Sequence, residues 1–499
     1  MLTNHILTLM TFVPTAGAFV LALLPRNGRI LRWWALFVSL VTFALTLHLP
    51  AHFAYGQQGF QFVEDHPWIS SPAIRYHLGV DGLSMWLAVL TGFLSVVGVL
   101  ASWKAIETRA KEFYFFFLLQ QTAMIGIFVS LDMFLYYAFW ELSLIPMAIL
   151  IAMFGREHGP RTALKFFSYT FIPSALFLVA ILWLYAKTGT FDYVTLHNIL
   201  SANTGLFSPN ALWWAALAFF VAFAVKVPVF PLHGWLSDTI SDAPTAMAMV
   251  AAGKLGLYSI LRYNLGLFPA QAHEFAPWVI ALAVIGVLYG ACIALVQSDM
   301  KRLIAYAMLS ALSFCVLGIF CFSLSGLDGA VYQFINEGVS GAAWLALAGF
   351  LYERYGTYDM ERYGGLAAKL PMMATLFVIT GLSLIGLPIL NGFVGEFLIL
   401  SGSFASHPGW VFAATLGVIF SGAYMLSMIQ RIFYGPESAM VTDRAAKDFS
   451  AHENMLLWPM AVLMLAMGVA SPFWIRAIDQ GVAGFANSAT QTVSYLEKR

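Results

Sequence analysis

Residues 221–238 read VAFAVKVPVFPLHGWLSD and place a lysine, Lys226, inside an apolar run. Pro228, Pro231 and His233 follow it within seven residues. A lysine at the centre of a bilayer costs about 2.5–3.5 kcal/mol on insertion scales, so such a residue marks a functional site. Proline lacks a backbone N–H and breaks or bends a helix. The stretch predicts a broken membrane helix around a proton-handling lysine.

The composition of the chain points to a membrane protein. Of its 499 residues, 60% are hydrophobic and 10% are charged, and the mean hydropathy is +0.79. Soluble domains carry about 25% charged residues. Helices satisfy their own backbone groups in lipid, so we predict an all-α polytopic membrane protein. The three cysteines lie in apolar runs, and their spacing fits neither a disulfide framework nor a metal site.

Apolar segments of about 20 residues predict about fourteen membrane spans. They cover 3–23, 31–49, 83–102, 113–130, 132–154, 166–187, 211–239 (broken), 243–262, 275–297, 303–325, 328–351, 371–399 (broken), 408–433 and 453–475. The first of them lacks a basic leading region and is interpreted as a membrane helix, not a signal peptide. The longest polar insert, 50–82, is too short to be a separate domain.

Basic residues predict the orientation, because Lys and Arg concentrate in cytoplasmic loops. If the N-terminus lies outside, the inward loops contain most of these residues: Arg26, Arg29, Arg32, Lys104, Arg109, Lys111, Arg156, Arg161, Lys165, Lys301, Arg302, Arg354, Arg362, Lys369, Arg431, Arg444 and Lys447. The outward side contains Arg75, Lys187, Arg262, Arg476, Lys498 and Arg499. Both termini are therefore predicted on the periplasmic side of a bacterial inner membrane.

Five charged residues lie well inside the predicted spans, away from the span ends, and are candidate site residues: Glu141, Lys226, Lys254, Glu337 and Glu396. Burial destabilises a charged lysine and a nearby carboxylate stabilises it, so movement of Glu141 would load or unload a proton on Lys226. The alternative is a buried ion pair that only fixes helix packing. For Lys254 the alternative is a side chain that reaches the membrane surface. His233 could bridge protons or cap the broken helix.

A second broken helix predicts an internal repeat. Gly386, Pro388 and Asn391 interrupt the span that contains Glu396, five spans after the first break. Broken spans at matching positions are typical of inverted repeats in transporters. We predict helices 1–3 in residues 1–112, a first five-helix repeat in 113–262, a second in 263–433, and helix 14 with a tail in 434–499.

Five motifs together resemble the antiporter-like subunits of respiratory complex I, the NADH:quinone oxidoreductase. They are LGVDGLS (78–84), FWELSLIPM (139–147), KVPVFPLHGWLSDTISDAPT (226–245), DMKRLIAY (299–306) and NGFVGEF (391–397). Their order and spacing over nearly the whole chain are specific. Two branches of that family, chains L and N, carry a lysine where this chain has Glu396, and the third branch carries a glutamate. The tail after the last span is too short for the long lateral helix of chain L.

The resemblance implies a proton path through four residues: the input pair Glu141 and Lys226, the connecting Lys254 and the terminal Glu396. Ala311 and Glu337 stand where the family usually has histidines, and the stretch before Lys254 is shorter by about three residues, nearly one helical turn. These departures indicate a divergent copy of the third branch, in which Glu337 and His233 are candidate relay residues.

We therefore expect a proton-translocating subunit whose redox chemistry takes place on other chains. No site for a metal, NADH, flavin, haem or iron–sulfur cluster is evident in the sequence. The implied partners are other membrane-arm subunits, including neighbouring antiporter-like subunits and the lateral helix of chain L, together with lipid and protons, but no nucleic acid. A cation/proton antiporter subunit, an energy-converting hydrogenase subunit and a scaffold that has lost pumping are the alternatives.

Overall fold

A computed structural model describes residues 5–57, 59–202, 205–251, 254–443 and 446–496. The chain is mostly helical. The helices are α1 (Ile6–Leu23), α2 (Gly28–His52), α3 (Gly82–Ala101), α4 (Ala110–Val129), α5 (Met133–Leu142), α6 (Leu144–Phe154), α7 (Gly159–Thr188), α8 (Tyr193–Ser201), α9 (Pro209–Lys226), α10 (Leu236–Asp242), α11 (Thr245–Ala251), α12 (Lys254–Ser259), α13 (Pro269–Leu295), α14 (Met300–Phe320), α15 (Leu324–Tyr355), α16 (Pro371–Leu384), α17 (Asn391–Phe404), α18 (Pro408–Phe433), α19 (Ala439–Asp443), α20 (Ala451–Val469) and α21 (Pro472–Leu496).

Both predicted breaks are present. The span predicted at 211–239 is divided where α9 ends at Lys226 and α10 begins at Leu236. The span predicted at 371–399 is divided between Leu384 and Asn391. Among the described residues, 12 helical segments are long and apolar enough to cross a membrane, with α5 and α6 taken together. The predicted span 371–399 is not among them because it is divided into α16 and α17, and the predicted span 243–262 includes residues outside the described part of the structure.

Four features were not predicted from the sequence. The fifth span is divided at Ser143, three residues before Pro146. A π-helical turn, Ile260–Leu265, continues α12. The last predicted span ends at Val469 instead of 475, and the amphipathic α21 follows it. The fourth feature is a β-hairpin in the insert at 50–82.

The hairpin consists of β1 (Gln61–Ile69) and β2 (Ile74–Val80), which pair antiparallel. It holds the start of α1, because the Glu64 carboxylate accepts hydrogen bonds from the backbone N–H groups of Leu7 (2.8 Å) and Thr8 (3.2 Å). α21 lies against the neighbouring start of α3, where a Cβ on Gly82 would be 1.6 Å from the Ala477 carbonyl oxygen. We call this side of the molecule the hairpin face and the opposite side the loop face.

Helices α3, α4, α14 and α15 form the centre of the molecule. α15 is buried along nearly its whole length, and it packs against α14, α17 and α3. Glycines permit the closest of these contacts, since a Cβ on Gly329 of α15 would lie 2.7 Å from the Ile399 backbone nitrogen of α17. Small residues allow membrane helices to approach closely in this way. The outer helices present apolar side chains, such as Phe19, Ile172 and Trp278, to the surroundings.

Candidate functional site

Lys226 is the last residue of α9, and its side chain is buried at the first helix break. Its ammonium donates a hydrogen bond to Ser143 Oγ (3.2 Å) and lies 4.6 Å from the centre of the Trp140 ring. Ser143 is the residue that divides α5 from α6. Gln120 and Trp235 line a small cavity beside the ammonium, of ≈ 20 Å³. The lysine is therefore held where two broken helices meet, beside room for one water molecule.

Glu141 lies two residues before Ser143 on the same broken helix. It is half-buried and accepts a hydrogen bond from the hydroxyl of Ser174 on α7. In the described part of the chain, Glu141 and Lys226 are not within ion-pair distance of each other. The structure brings the two residues to one helix break, with Ser143 beside both of them. Their role as a proton-input pair stays a prediction.

His233 lies in the connection between α9 and α10. Its ring stacks on Phe230 at 5.5 Å and lies 5.1 Å from the ring of Tyr289. Its Nδ1 atom is buried and has no hydrogen-bond partner among the described residues. Its backbone carbonyl accepts the Leu236 N–H at 2.9 Å, so the backbone of His233 contributes to the start of α10. Its side chain does not cap that helix.

Lys254 begins α12, and its side chain lies outside the described part of the structure. The backbone of α12 packs against both α9 and α15. The contact with α9 is close: a Cβ on Gly256 would lie 2.8 Å from the Phe223 carbonyl oxygen.

Glu337 of α15 and Glu396 of α17 line one cavity of ≈ 30 Å³. Ala311, Ser310 and Tyr424 line it as well. The second helix break brings the Glu396 carboxylate close to the backbone, because a Cβ on Gly386 would lie 2.3 Å from Glu396 Oε2. Gly386 has a φ of +79°, which glycine adopts without strain. The two carboxylates, on different helices, can thus share water and protons.

A hydrogen-bond network fixes the second break beside this cavity. The Asn391 Oδ1 atom accepts from Ser383 Oγ (2.5 Å), and the Asn391 carbonyl accepts from Asn336 Nδ2 (2.8 Å). Ser340 Oγ of α15 lies 2.7 Å from Ser383 Oγ. These bonds join both halves of the broken span to α15, which carries Glu337.

Two bases that the sequence analysis counted to the membrane surfaces, Lys301 to an inward loop and Arg262 to the outward side, are buried. Lys301 is 1% exposed and donates to the Ala243 carbonyl oxygen (2.6 Å), which ends α10. Arg262 is 3% exposed and forms a 2.7 Å ion pair with Asp81, the N-cap of α3. Both bases lie near the ends of membrane spans. A count of Lys and Arg residues on each side of the membrane treats residues at such positions as exposed to solvent. The motif DMKRLIAY, with its basic pair at the start of an apolar run, was the available signal for Lys301.

The fold and its charged sites agree with a known class of membrane protein. A family model described as "NADH:quinone oxidoreductase/Mrp antiporter, TM" matches residues 130–421. The chain therefore belongs to this antiporter-like family. A chain of respiratory complex I from Thermus thermophilus with bound NADH has a TM-score of 0.88 at 29% identity, covering 97% of this chain and 99% of that one.

Sequence relatives place the chain within a branch of that family. NADH-quinone oxidoreductase subunit M of Rhodobacter capsulatus is 38% identical over 498 residues, covering 96% of each chain. Subunit M of Escherichia coli strain K12 is 38% identical, covering 92% of this chain and 93% of the relative. The chain belongs to the subunit M family, which is the third branch indicated by Glu396. The Mrp complex from Dietzia, with a TM-score of 0.85 at 20% identity, shares the fold.

Proposed function

We propose that this chain is a proton-translocating membrane-arm subunit of a bacterial respiratory complex I. The observation that carries the proposal is the pair of buried ionisable sites, one at each helix break, joined by helices in contact. Lys226 ends α9, α12 packs against α9 and α15, and α15 and α17 carry Glu337 and Glu396. Electron transfer from NADH to quinone takes place on other chains, and its energy reaches this chain as charge rearrangement.

The movement of one buried charge supplies enough free energy to translocate a proton across the membrane. Moving one proton against 100 mV costs about 2.3 kcal/mol. A nearby opposite charge shifts a pKa by about 1–3, and a change of one in pKa corresponds to about 1.4 kcal/mol. The interaction free energy between Lys226 and a carboxylate therefore changes by a comparable amount when Glu141 approaches or withdraws. In this scheme Lys226 receives a proton, Lys254 transfers it between halves, and Glu337 with Glu396 release it.

We also propose that residues 113–262 and 263–433 are inverted repeats. Matched backbone bridges support this division. The N–H of Met133 donates to Phe191 O and that of Tyr193 donates to Leu131 O, both at the hairpin face. Equivalent bonds lie 167 residues later, from Met300 to Tyr358 O and from Met360 to Ser298 O. Five spans separate the two bridges, so the second lies at the loop face.

The capping residues of the bridges match as well. Asp132 caps α5 and Asp192 caps α8, and the corresponding Asp299 and Asp359 cap α14 and the short 3₁₀ turn Met360–Arg362. The basic residues of the loop face, among them Arg156 and Arg354, support a cytoplasmic location for that face and a periplasmic location for the hairpin face with both termini. The apolar outer helices suit lipid, neighbouring antiporter-like subunits and the lateral helix of chain L.

The native complex tests the proposal against its alternatives. We expect its mass-spectrometric subunit list to contain NADH-oxidising and quinone-reducing chains. A list with only antiporter chains, or with hydrogenase chains, would identify a different machine. Proton uptake by the reconstituted complex with Glu337→Gln tests the relay, and unchanged uptake would remove Glu337 from the path.

A further inference from the structure

Arg262 is a buried base that the proposed proton path does not use. It lies in the π-helical turn that continues α12, and it forms an ion pair with Asp81 at 2.7 Å. Three aromatic ring centres lie near its guanidinium: Phe60 at 5.0 Å, Tyr258 at 5.4 Å and Tyr193 at 5.6 Å. Arginine stays charged at every physiological pH. A permanent positive charge is therefore fixed in this turn.

The charge lies between Lys254 and the hairpin face. Lys254 begins α12, and Arg262 follows it by eight residues, about 12 Å along the helix. Asp81, the partner of Arg262, is the N-cap of α3 at the hairpin face. A proton that left α12 directly toward that face would therefore pass this ion pair and bypass the Glu337–Glu396 cavity.

Hydroxyl groups occupy the turn of α12 that precedes Arg262. The Tyr258 hydroxyl donates to the Phe128 carbonyl oxygen (3.3 Å) and accepts from Arg262 Nε (3.4 Å). The Ser259 hydroxyl lies 2.5 Å from that of Tyr136. Hydroxyl groups both donate and accept hydrogen bonds, so they can pass protons along. This turn therefore offers protons a leak toward the hairpin face, and the Tyr258 hydroxyl leads directly to the guanidinium.

The ion pair is oriented to oppose such a leak. Its guanidinium contacts Tyr258, whereas the Asp81 carboxylate lies at the start of α3 and has the more exposed side chain, 12% against 4%. The positive end of the pair therefore faces the interior hydroxyl, and a fixed arginine excludes protons from narrow polar paths. We propose that Arg262 is a proton barrier, which keeps protons on the route to the Glu337–Glu396 cavity. This inference rests on the proposed proton translocation.

Two variants of the assembled complex in proteoliposomes separate the charge from the ion pair. Asp81→Asn removes the ion pair and keeps the positive charge, and asparagine is also a good N-cap. Asp81→Asn combined with Arg262→Gln removes both the ion pair and the charge. Passive proton entry is measured without NADH under a potassium diffusion potential. We expect the single variant to be as tight as the unaltered complex and the double variant to leak about ten-fold faster or more.

Equal leak rates in the two variants would overturn the barrier, since only the positive charge distinguishes them. If the double variant does not assemble, Arg262→His decides. Its imidazole loses its charge between about pH 6 and about pH 8, so its leak relative to the unaltered complex should rise with pH. A relative leak independent of pH would overturn the barrier.

The uptake of protons by the unaltered complex with NADH is measured in parallel. Its absence would refute the proposed translocation itself. A double variant that stays tight, beside an unaltered complex that pumps, would refute the barrier alone.

Discussion

Neutral groups hold Lys226 in the structure. Its ammonium has a hydroxyl partner, Ser143, and an aromatic ring, Trp140, while the Glu141 carboxylate is bonded to Ser174. A hydroxyl can serve either a charged or a neutral amine, because it both donates and accepts. This environment suits a lysine that gains and loses a proton better than a fixed ion pair would.

Gly386 leaves room for the Glu396 carboxylate beside the second helix break. Substitution with alanine would force an L-residue into φ +79° and place a methyl group 2.3 Å from Oε2. The backbone strain alone costs about 1–2 kcal/mol. We expect Gly386→Ala to lower proton uptake per NADH while quinone reduction continues. Gly409→Ala is the matched control, since its Cβ would meet no atom of the described part of the chain within 4 Å. Equal uptake in both variants would show that the carboxylate does not depend on Gly386.

At the scale of elements, the hairpin is joined to the bundle through α5 and α8. His77 Nδ1 lies 2.6 Å from Asp192 Oδ2, and Asp192 also caps α8 by accepting the Thr195 N–H at 2.8 Å. Burial alone would raise the pKa of Asp192, but the hydrogen bonds from His77 and Thr195 outweigh it, so the pKa lies below 3.8. The ionised carboxylate therefore stabilises the fold.

The lowered pKa of Asp192 determines how the stability of the fold depends on pH. The pKa of Asp192 is lower in the folded protein than in the unfolded chain. The stability that the Asp192 carboxylate contributes is therefore fully present above the unfolded pKa of 3.8, and it is lost as the pH falls through the folded pKa. We expect Asp192→Asn to cost about 2 kcal/mol near neutral pH, a typical value for a charged hydrogen bond. Thermal unfolding of the detergent-solubilised protein from about pH 6 to about pH 3 measures the difference, which should shrink toward the acidic end. A difference independent of pH would contradict this account.

The elements that the sequence predicted are those with strong local signals. Prolines and glycines marked both broken spans, and long apolar runs marked most of the helices. The hairpin had no such signal: β1 exposes most of its residues and contains Pro67, so no alternation of polar and apolar residues is visible. The division at Ser143 lies three residues before Pro146, and Ser143 Oγ accepts a hydrogen bond from Lys226 (3.2 Å), a tertiary contact that the sequence does not show. Arg262 and Lys301 fall at span ends, where only packing shows their burial.

For the whole molecule, α21 closes the hairpin face over α3, α13 and α15. α21 approaches α3 closely at Gly481, where a Cβ would lie 2.3 Å from the Leu83 backbone nitrogen. We expect Gly481→Leu to destabilise the complex by about 1–3 kcal/mol and to expose α21 to protease. A Cβ on Gly484, one turn further along α21, would meet no atom of the described residues within 4 Å, and Gly484→Leu should change stability by about 0.5 kcal/mol or less. Equal protease sensitivity of the two variants would place α21 away from α3.

Each of the two helix breaks carries a buried ionisable site, and α12 packs against both α9 and α15. In the proposed function, protons pass through the first of these sites, at Lys226. The most direct measurement is the number of protons translocated per NADH oxidised by the assembled complex with Lys226→Ala. We expect this complex to assemble and its proton yield to fall by about 100-fold or to background. An unchanged proton yield would contradict the claim.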